Sequence, residues 1–155
     1  MLLNGVNHVA TLTSDSARLH AFYREVFEAE VVADMAEATE GPGVRLSIVD
    51  IGGGTQLNVF QIRGNTEAER QVPMFERGRI DHLGLRAKDL ESFEEIRDRL
   101  RARGAADDFV TDFGPDLSLF FTDPDGLEGE VLVDNPDSVA GVHNPPGTPA
   151  ARYVR

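Results

Sequence analysis

The chain has 155 residues, is 41% hydrophobic and carries a formal net charge of −12, which suits one compact domain or two tightly fused half-domains with a real core. It has no cysteine, which excludes disulfides, zinc–thiolate sites, iron–sulfur clusters and a thiol nucleophile; any metal must be held by His, Asp, Glu or neutral oxygen donors. The acidic charge argues against nucleic acid, the lack of an apolar run of about 18 residues argues against a membrane helix, and Met1 to Gly5 lacks the marks of a signal peptide, so residence in the cytoplasm is expected.

A first strand is predicted from Val6 to Leu12, followed by a helix capped by Ser14 or Asp15. In that helix Leu19, Phe22, Tyr23, Val26 and Phe27 recur at helical spacing, while His20 falls on the polar side and reads as solvated. A strand over Glu30 to Ala36 leads to a Gly41-Pro42-Gly43 turn. Val44 to Ile51 and Thr55 to Ile62 then form a hairpin about the glycines 52 to 54. Arg63 to Arg79 reads as a linker with a short helical turn near Glu67 to Gln71.

The same order then returns. A strand over Ile80 to Arg86 precedes a helix capped by Asp89 and stopped at Gly104. Strands follow near Asp107 to Thr111, Leu117 to Thr122 and Glu128 to Val133, the last two joined by the turn Asp123-Pro124-Asp125-Gly126. Each half reads βαβββ. The fold expected is α+β, with two paired modules forming a curved mixed sheet around a central cavity. Residues 1–134 form a single domain, with repeat 1 at about 4–62, a linker at 63–79 and repeat 2 at about 80–134. Residues 135–155 hold four of the eight prolines and read as an irregular tail.

The repeat carries chemistry. Asn7-His8 and Asp81-His82 begin matching strands 74 residues apart. Side chains alternate along a strand, so His8 shares a face with Ala10 and His82 with Gly84, leaving room beside each imidazole. A glutamate inside the apolar last strand, Glu130, needs a reason to be there, and a cation would satisfy it. His8, His82 and Glu130 together make a facial triad with open coordination positions. The matching strand of the first half offers Gln56 or Asn58 as a neutral fourth donor. Arg86, on the His82 face, is a candidate for binding an anionic substrate group. His143 reads as an exposed tail residue, and Tyr23 as core.

Taken together, Asn7-His8-Val9, Ala21-Phe22-Tyr23-Arg24-Glu25-Val26-Phe27, Asp81-His82-Leu83-Gly84-Leu85 and Asp123-Pro124-Asp125-Gly126 followed by Glu130 resemble the vicinal oxygen chelate superfamily. That superfamily includes glyoxalase I, methylmalonyl-CoA epimerase, extradiol dioxygenases, and the fosfomycin and bleomycin resistance proteins. The resemblance implies a divalent metal ion (Fe, Mn, Zn or Ni) on His8, His82 and Glu130. The fourth position falls near Asn58 by its distance to the following turn, whereas strict 74-residue symmetry with Glu130 selects Gln56. Glyoxalase-like members usually carry glutamate there, and an amide cannot serve as the base for proton transfer. The resemblance further implies a homodimer and a small substrate whose vicinal oxygens are chelated, with lyase, isomerase or dioxygenase chemistry in which Glu130 is catalytic. The alternative is a metal-free protein that binds a small molecule such as an antibiotic.

Overall fold

The computed structural model describes residues 1–35, 43–70, 72, 76, 77 and 79–140. The chain divides into two units, Met1–Gln71 and Val72–Arg155. The Gly41-Pro42 part of the predicted turn, together with His143 and the rest of the tail beyond residue 140, lies outside the described residues.

Unit 1 runs β1 (His8–Leu12), α1 (Ser16–Phe27), β2 (Glu30–Met35), β3 (Val44–Asp50) and β4 (Gln56–Ile62). A single 3-10 turn at Glu67–Glu69 follows. Unit 2 repeats the order with β5 (Leu83–Arg86), α2 (Leu90–Ala102), β6 (Val110–Asp112), β7 (Asp116–Thr122) and β8 (Glu128–Asp134). The sheets are ordered β1-β4-β3-β2 and β5-β8-β7-β6. In each, the first strand runs parallel to the last and the other pairings are antiparallel. The fold class is therefore α+β, built from two βαβββ modules.

The helices form where the sequence supplies both a cap and an apolar stripe. Asp15 accepts a hydrogen bond from the Arg18 amide at 3.1 Å, and Asp89 accepts one from the Ser92 amide at 2.8 Å. Ser14 is not the cap of α1; its hydroxyl instead accepts from the Arg18 guanidinium. Leu19, Phe22, Tyr23 and Val26 of α1 are buried, and the helix packs on β2 and β4. Leu57 and Val59 of β4 and Val49 of β3 are buried with them. In unit 2, α2 buries Phe93 and Leu100 and packs on β8, where Val131 and Val133 are buried. Strand alternation then turns Asn58 in one sheet, and Glu128 and Glu130 in the other, away from these apolar rows.

Two expectations are corrected. Both first strands begin later than predicted, with pairing that starts at His8 and Leu83, and Val6 and Ile80 are 60% and 81% exposed. His20 is not solvated: it is 7% exposed, and its Nε2 lies 2.6 Å from the Ser47 hydroxyl of β3. The Ser16, Leu19, His20 and Tyr23 positions share one helix face, and a small polar residue on the sheet gives the ring both room and a partner. Glu130 is buried on β8, which lies inside its sheet.

Candidate metal centre

In unit 2, His82 stands just before β5, and β8 pairs beside it with Leu83 opposite Gly129 and Gly84 opposite Glu130. The His82 Nε2 lies 3.4 Å from Glu130 Oε2. Its other nitrogen, Nδ1, lies 2.9 Å from Asp81 Oδ2. Glu130 is 8% exposed, and its Oε1 accepts a hydrogen bond from the Ser118 hydroxyl of β7 at 2.5 Å. The Phe120 ring, also on β7, meets the imidazole edge-on with centroids 5.9 Å apart.

Glycine at position 84 keeps this corner open. A Cβ there would lie 3.3 Å from the Leu132 side chain and 3.8 Å from Glu130 Oε2.

The two glutamates of β8 have different partners. Glu128 is paired with Arg77 at 2.7 Å. The same guanidinium donates to the backbone carbonyls of Val72, at 2.6 Å, and Asp81, at 3.1 Å, which ties the approach to His82 onto the sheet. Glu130 faces an imidazole instead.

In unit 1, His8 opens β1 opposite Gln56, and Ala10 stands opposite Asn58. Relative to its histidine, Asn58 therefore occupies the place of Glu130: each lies across from the small residue two positions beyond. The second module reaches that place in two residues fewer, which is why strict 74-residue spacing points to Gln56. Asn58 Oδ1 is buried and has no hydrogen-bond partner. His8 is exposed, and its Nδ1 lies 2.8 Å from Asn7 Oδ1.

Arg86 lies on the His82 face of β5. It is engaged by Asp134 through Nη1 and by Asp116 through Nη2, the latter at 3.3 Å. The Asp123 carboxylate at the β7–β8 turn accepts hydrogen bonds from the amides of Asp125 and Leu127, and burial pushes its pKa up to about 6.

Among the described residues no three His, Asp or Glu side chains are gathered for a metal; of the predicted set, the structure brings His82 and Glu130 together. Their spacing suits a shared cation. Zinc-type bonds of about 2.0–2.2 Å set donor atoms about 3.4 Å apart in tetrahedral geometry. The bare Asn58 oxygen has the donor chemistry of a neutral ligand. Sequence reasoning missed Asp81, Asn7, Ser118 and Arg77. The residue before each histidine was readable as a repeated acceptor, whereas Ser118 and Arg77 required the cross-strand register.

No helix among the described residues is long and apolar enough to cross a membrane. The structure is similar to a glyoxylase/bleomycin resistance protein/dioxygenase domain from Frankia sp. EAN1pec, with TM-score 0.69 and 20% identity over 87% of this chain and 95% of that one. It is also similar to lactoylglutathione lyase from Agrobacterium tumefaciens, with TM-score 0.58 and 22% identity over 86% and 96%. A third similar structure is the fosfomycin resistance protein FosX of Listeria monocytogenes, in complex with Mn(II) and a dihydroxypropylphosphonic acid, with TM-score 0.61 and 17% identity over 84% and 92%. At these identities the likenesses show the fold alone. No curated protein matches the chain. The model of the Glyoxalase/Bleomycin resistance protein/Dioxygenase superfamily matches residues 5–131, and the chain belongs to that superfamily.

Proposed function

We propose that this protein is a metal-dependent enzyme that chelates neighbouring oxygens of a small substrate. The observation that carries the reading is the His82–Glu130 contact. A neutral imidazole has one N–H, and Asp81, the nearer carboxylate, takes it at Nδ1. In that tautomer the Nε2 lone pair faces a carboxylate oxygen 3.4 Å away. A shared cation satisfies both.

In this reading His82, Glu130 and His8 hold Fe²⁺, Mn²⁺, Zn²⁺ or Ni²⁺, with Asn58 or Gln56 as a neutral fourth donor. Bound there, the ion supplies Lewis acidity to two substrate oxygens and stabilises an enolate or similar anion. Ser118 holds Oε1 of Glu130, so Oε2 would be the oxygen that binds the ion and, on leaving it, moves a proton. Phe120 packs edge-on against the imidazole. Arg86 meets an anionic substrate group by exchanging Asp134 for it. The ligand of FosX, a diol bearing a phosphonate, illustrates a molecule with both features. Lyase, isomerase and dioxygenase chemistry all fit this site. A cytoplasmic homodimer belongs to the same reading, in keeping with the exposed face of the edge strand β1.

Metal analysis and calorimetry on the purified protein test it. The wild type is expected to bind one of these ions, and His82→Ala and Glu130→Gln to weaken binding at least a hundredfold. Oxygen uptake with catechols marks a dioxygenase, and metal without oxygen uptake marks a lyase or isomerase. Wild-type protein that takes up none of the four ions sinks the proposal; tight aromatic-ligand binding in the presence of chelator would put the metal-free binding protein in its place.

A further inference from the structure

We infer that the residue before each histidine is a positioning residue, and that the two are deliberately unlike: Asp81 holds His82 through a carboxylate, and Asn7 holds His8 through an amide. The inference rests on the metal-site reading above and goes beyond it, because it assigns unequal strengths to the two imidazoles.

Both rings are held in the same way. Nδ1 lies 2.8 Å from Asn7 Oδ1 in His8 and 2.9 Å from Asp81 Oδ2 in His82. In each case an oxygen one residue upstream accepts the Nδ1 hydrogen, which fixes the tautomer and leaves the Nε2 lone pair free. The arrangement recurs in both modules, at strands that share a topological place. In the second module it is reinforced. The Arg77 guanidinium binds the Asp81 carbonyl at 3.1 Å and pairs with Glu128 at 2.7 Å, so the backbone carrying Asp81 and His82 is clamped to β8. The side chains of Asp81 and His82 are only 20% and 29% exposed, whereas Asn7 and His8 are both exposed.

A carboxylate acceptor polarises the ring more than an amide does, and water screens it less at the half-buried position. His82 is therefore the strong, permanent ligand, paired with Glu130. His8 is the weaker and more exchangeable one.

The test has two readouts. The first needs no metal: long-range proton–nitrogen correlation on the chelator-treated protein at pH 8 reports which nitrogen of each ring carries hydrogen. Nδ1–H is expected for both rings, and for His82 it is expected to be lost in Asp81→Ala and kept in Asp81→Asn. Hydrogen on Nε2 of His82 in the wild type overturns the inference. The second readout is Mn²⁺ and Zn²⁺ affinity. Asp81→Ala is expected to weaken binding about 10–100-fold, the range typical of such supporting partners. Asp81→Asn should weaken it less, and Asn7→Asp should strengthen it. Wild-type affinity in Asp81→Ala, with the fold intact by circular dichroism, also overturns it. If the wild type binds no ion, the metal reading fails on its own, and the tautomer result still decides whether Asp81 and Asn7 position the rings.

Discussion

Asn58 stands in β4 where Glu130 stands in β8, each lying across a parallel strand pair from the small residue two positions after a histidine. The two side chains are in opposite conditions. Glu130 has a hydroxyl and an imidazole against it, whereas the Asn58 oxygen is buried with no partner. An orphaned buried acceptor costs about 1–3 kcal/mol. Asn58→Leu is therefore expected to stabilise the metal-free protein by about 1 kcal/mol, raising the melting temperature by about 2–4 °C for a chain of this size. The same change should weaken divalent-metal binding, and Asn58→Asp should tighten it by about tenfold while destabilising the metal-free form. Urea unfolding in chelator and calorimetry with Mn²⁺ read the two effects separately. A variant that loses stability without changing metal affinity would show that the oxygen belongs to the sheet wall alone.

Two buried titratable groups should shape stability against pH in opposite senses. Asp123 has its pKa pushed from 3.8 to about 6, chiefly by burial and against the hydrogen bonds from the turn amides. The folded state therefore holds a proton that the unfolded chain has released between about pH 4 and pH 6. The contribution is fully present below 3.8 and is lost as pH rises through about 6, a swing of about 3 kcal/mol at one pKa unit per 1.36 kcal/mol. Asp123→Asn keeps an acceptor for the Asp125 and Leu127 amides and removes the charge. Its stability relative to wild type should climb from pH 4 to pH 7 by about 2–3 kcal/mol, measured as the shift in urea midpoint.

His20 runs the other way. Burial lowers its pKa from 6.5, helped by Arg45 and Arg24 and opposed by Asp34. Its contribution is present above 6.5 and is lost as pH falls below that value, because the unfolded chain takes up the proton first. His20→Gln should abolish that acid-side loss while costing some stability at pH 8, where the bond to Ser47 is intact. The wild type then shows a muted profile in which the two slopes oppose each other. Unfolding curves of the two variants between pH 4 and pH 8 should expose one slope each; a His20→Gln profile parallel to wild type rejects the assignment.

Much of this was legible in the chain. The strand–helix order, the Asp89 cap and the core stripe of α1 follow from periodicity and capping chemistry, which act locally. The placement of Glu128 and Glu130 on one face and Val131 and Val133 on the other follows from strand alternation alone. What escaped was set by partners far away in sequence. His20 reads as a surface residue until Ser47, on a strand two connections later, supplies its hydrogen bond. The choice between Gln56 and Asn58 depends on the β1–β4 register, which linear spacing misjudges because the modules differ in length by two residues. Which carboxylates engage Arg86, those of β7 and β8, likewise follows only from the cross-strand register.

Gly129 offers the sharpest link between packing and site. It lies between the two glutamates of β8 and opposite Phe121 of β7, whose ring rests on its bare α-carbon: a Cβ at this position would meet ring carbons at 2.3 and 2.4 Å. Phe121 is 2% exposed, so its ring cannot swing into solvent to make room. Gly129→Ala must therefore bend β8 or drive the ring off its rotamer, at a cost of about 1–3 kcal/mol. Bending β8 also moves Glu130 relative to His82, so metal affinity should fall together with stability. Phe121→Leu removes the obstructing ring atoms and on its own leaves a cavity. Combined with Gly129→Ala, it should recover part of the loss, because the two changes share one contact and their effects cannot add. Thermal unfolding and metal titration of the two single variants and the double variant measure the coupling. Strict additivity would mean that the Phe121 ring is not what requires glycine at position 129.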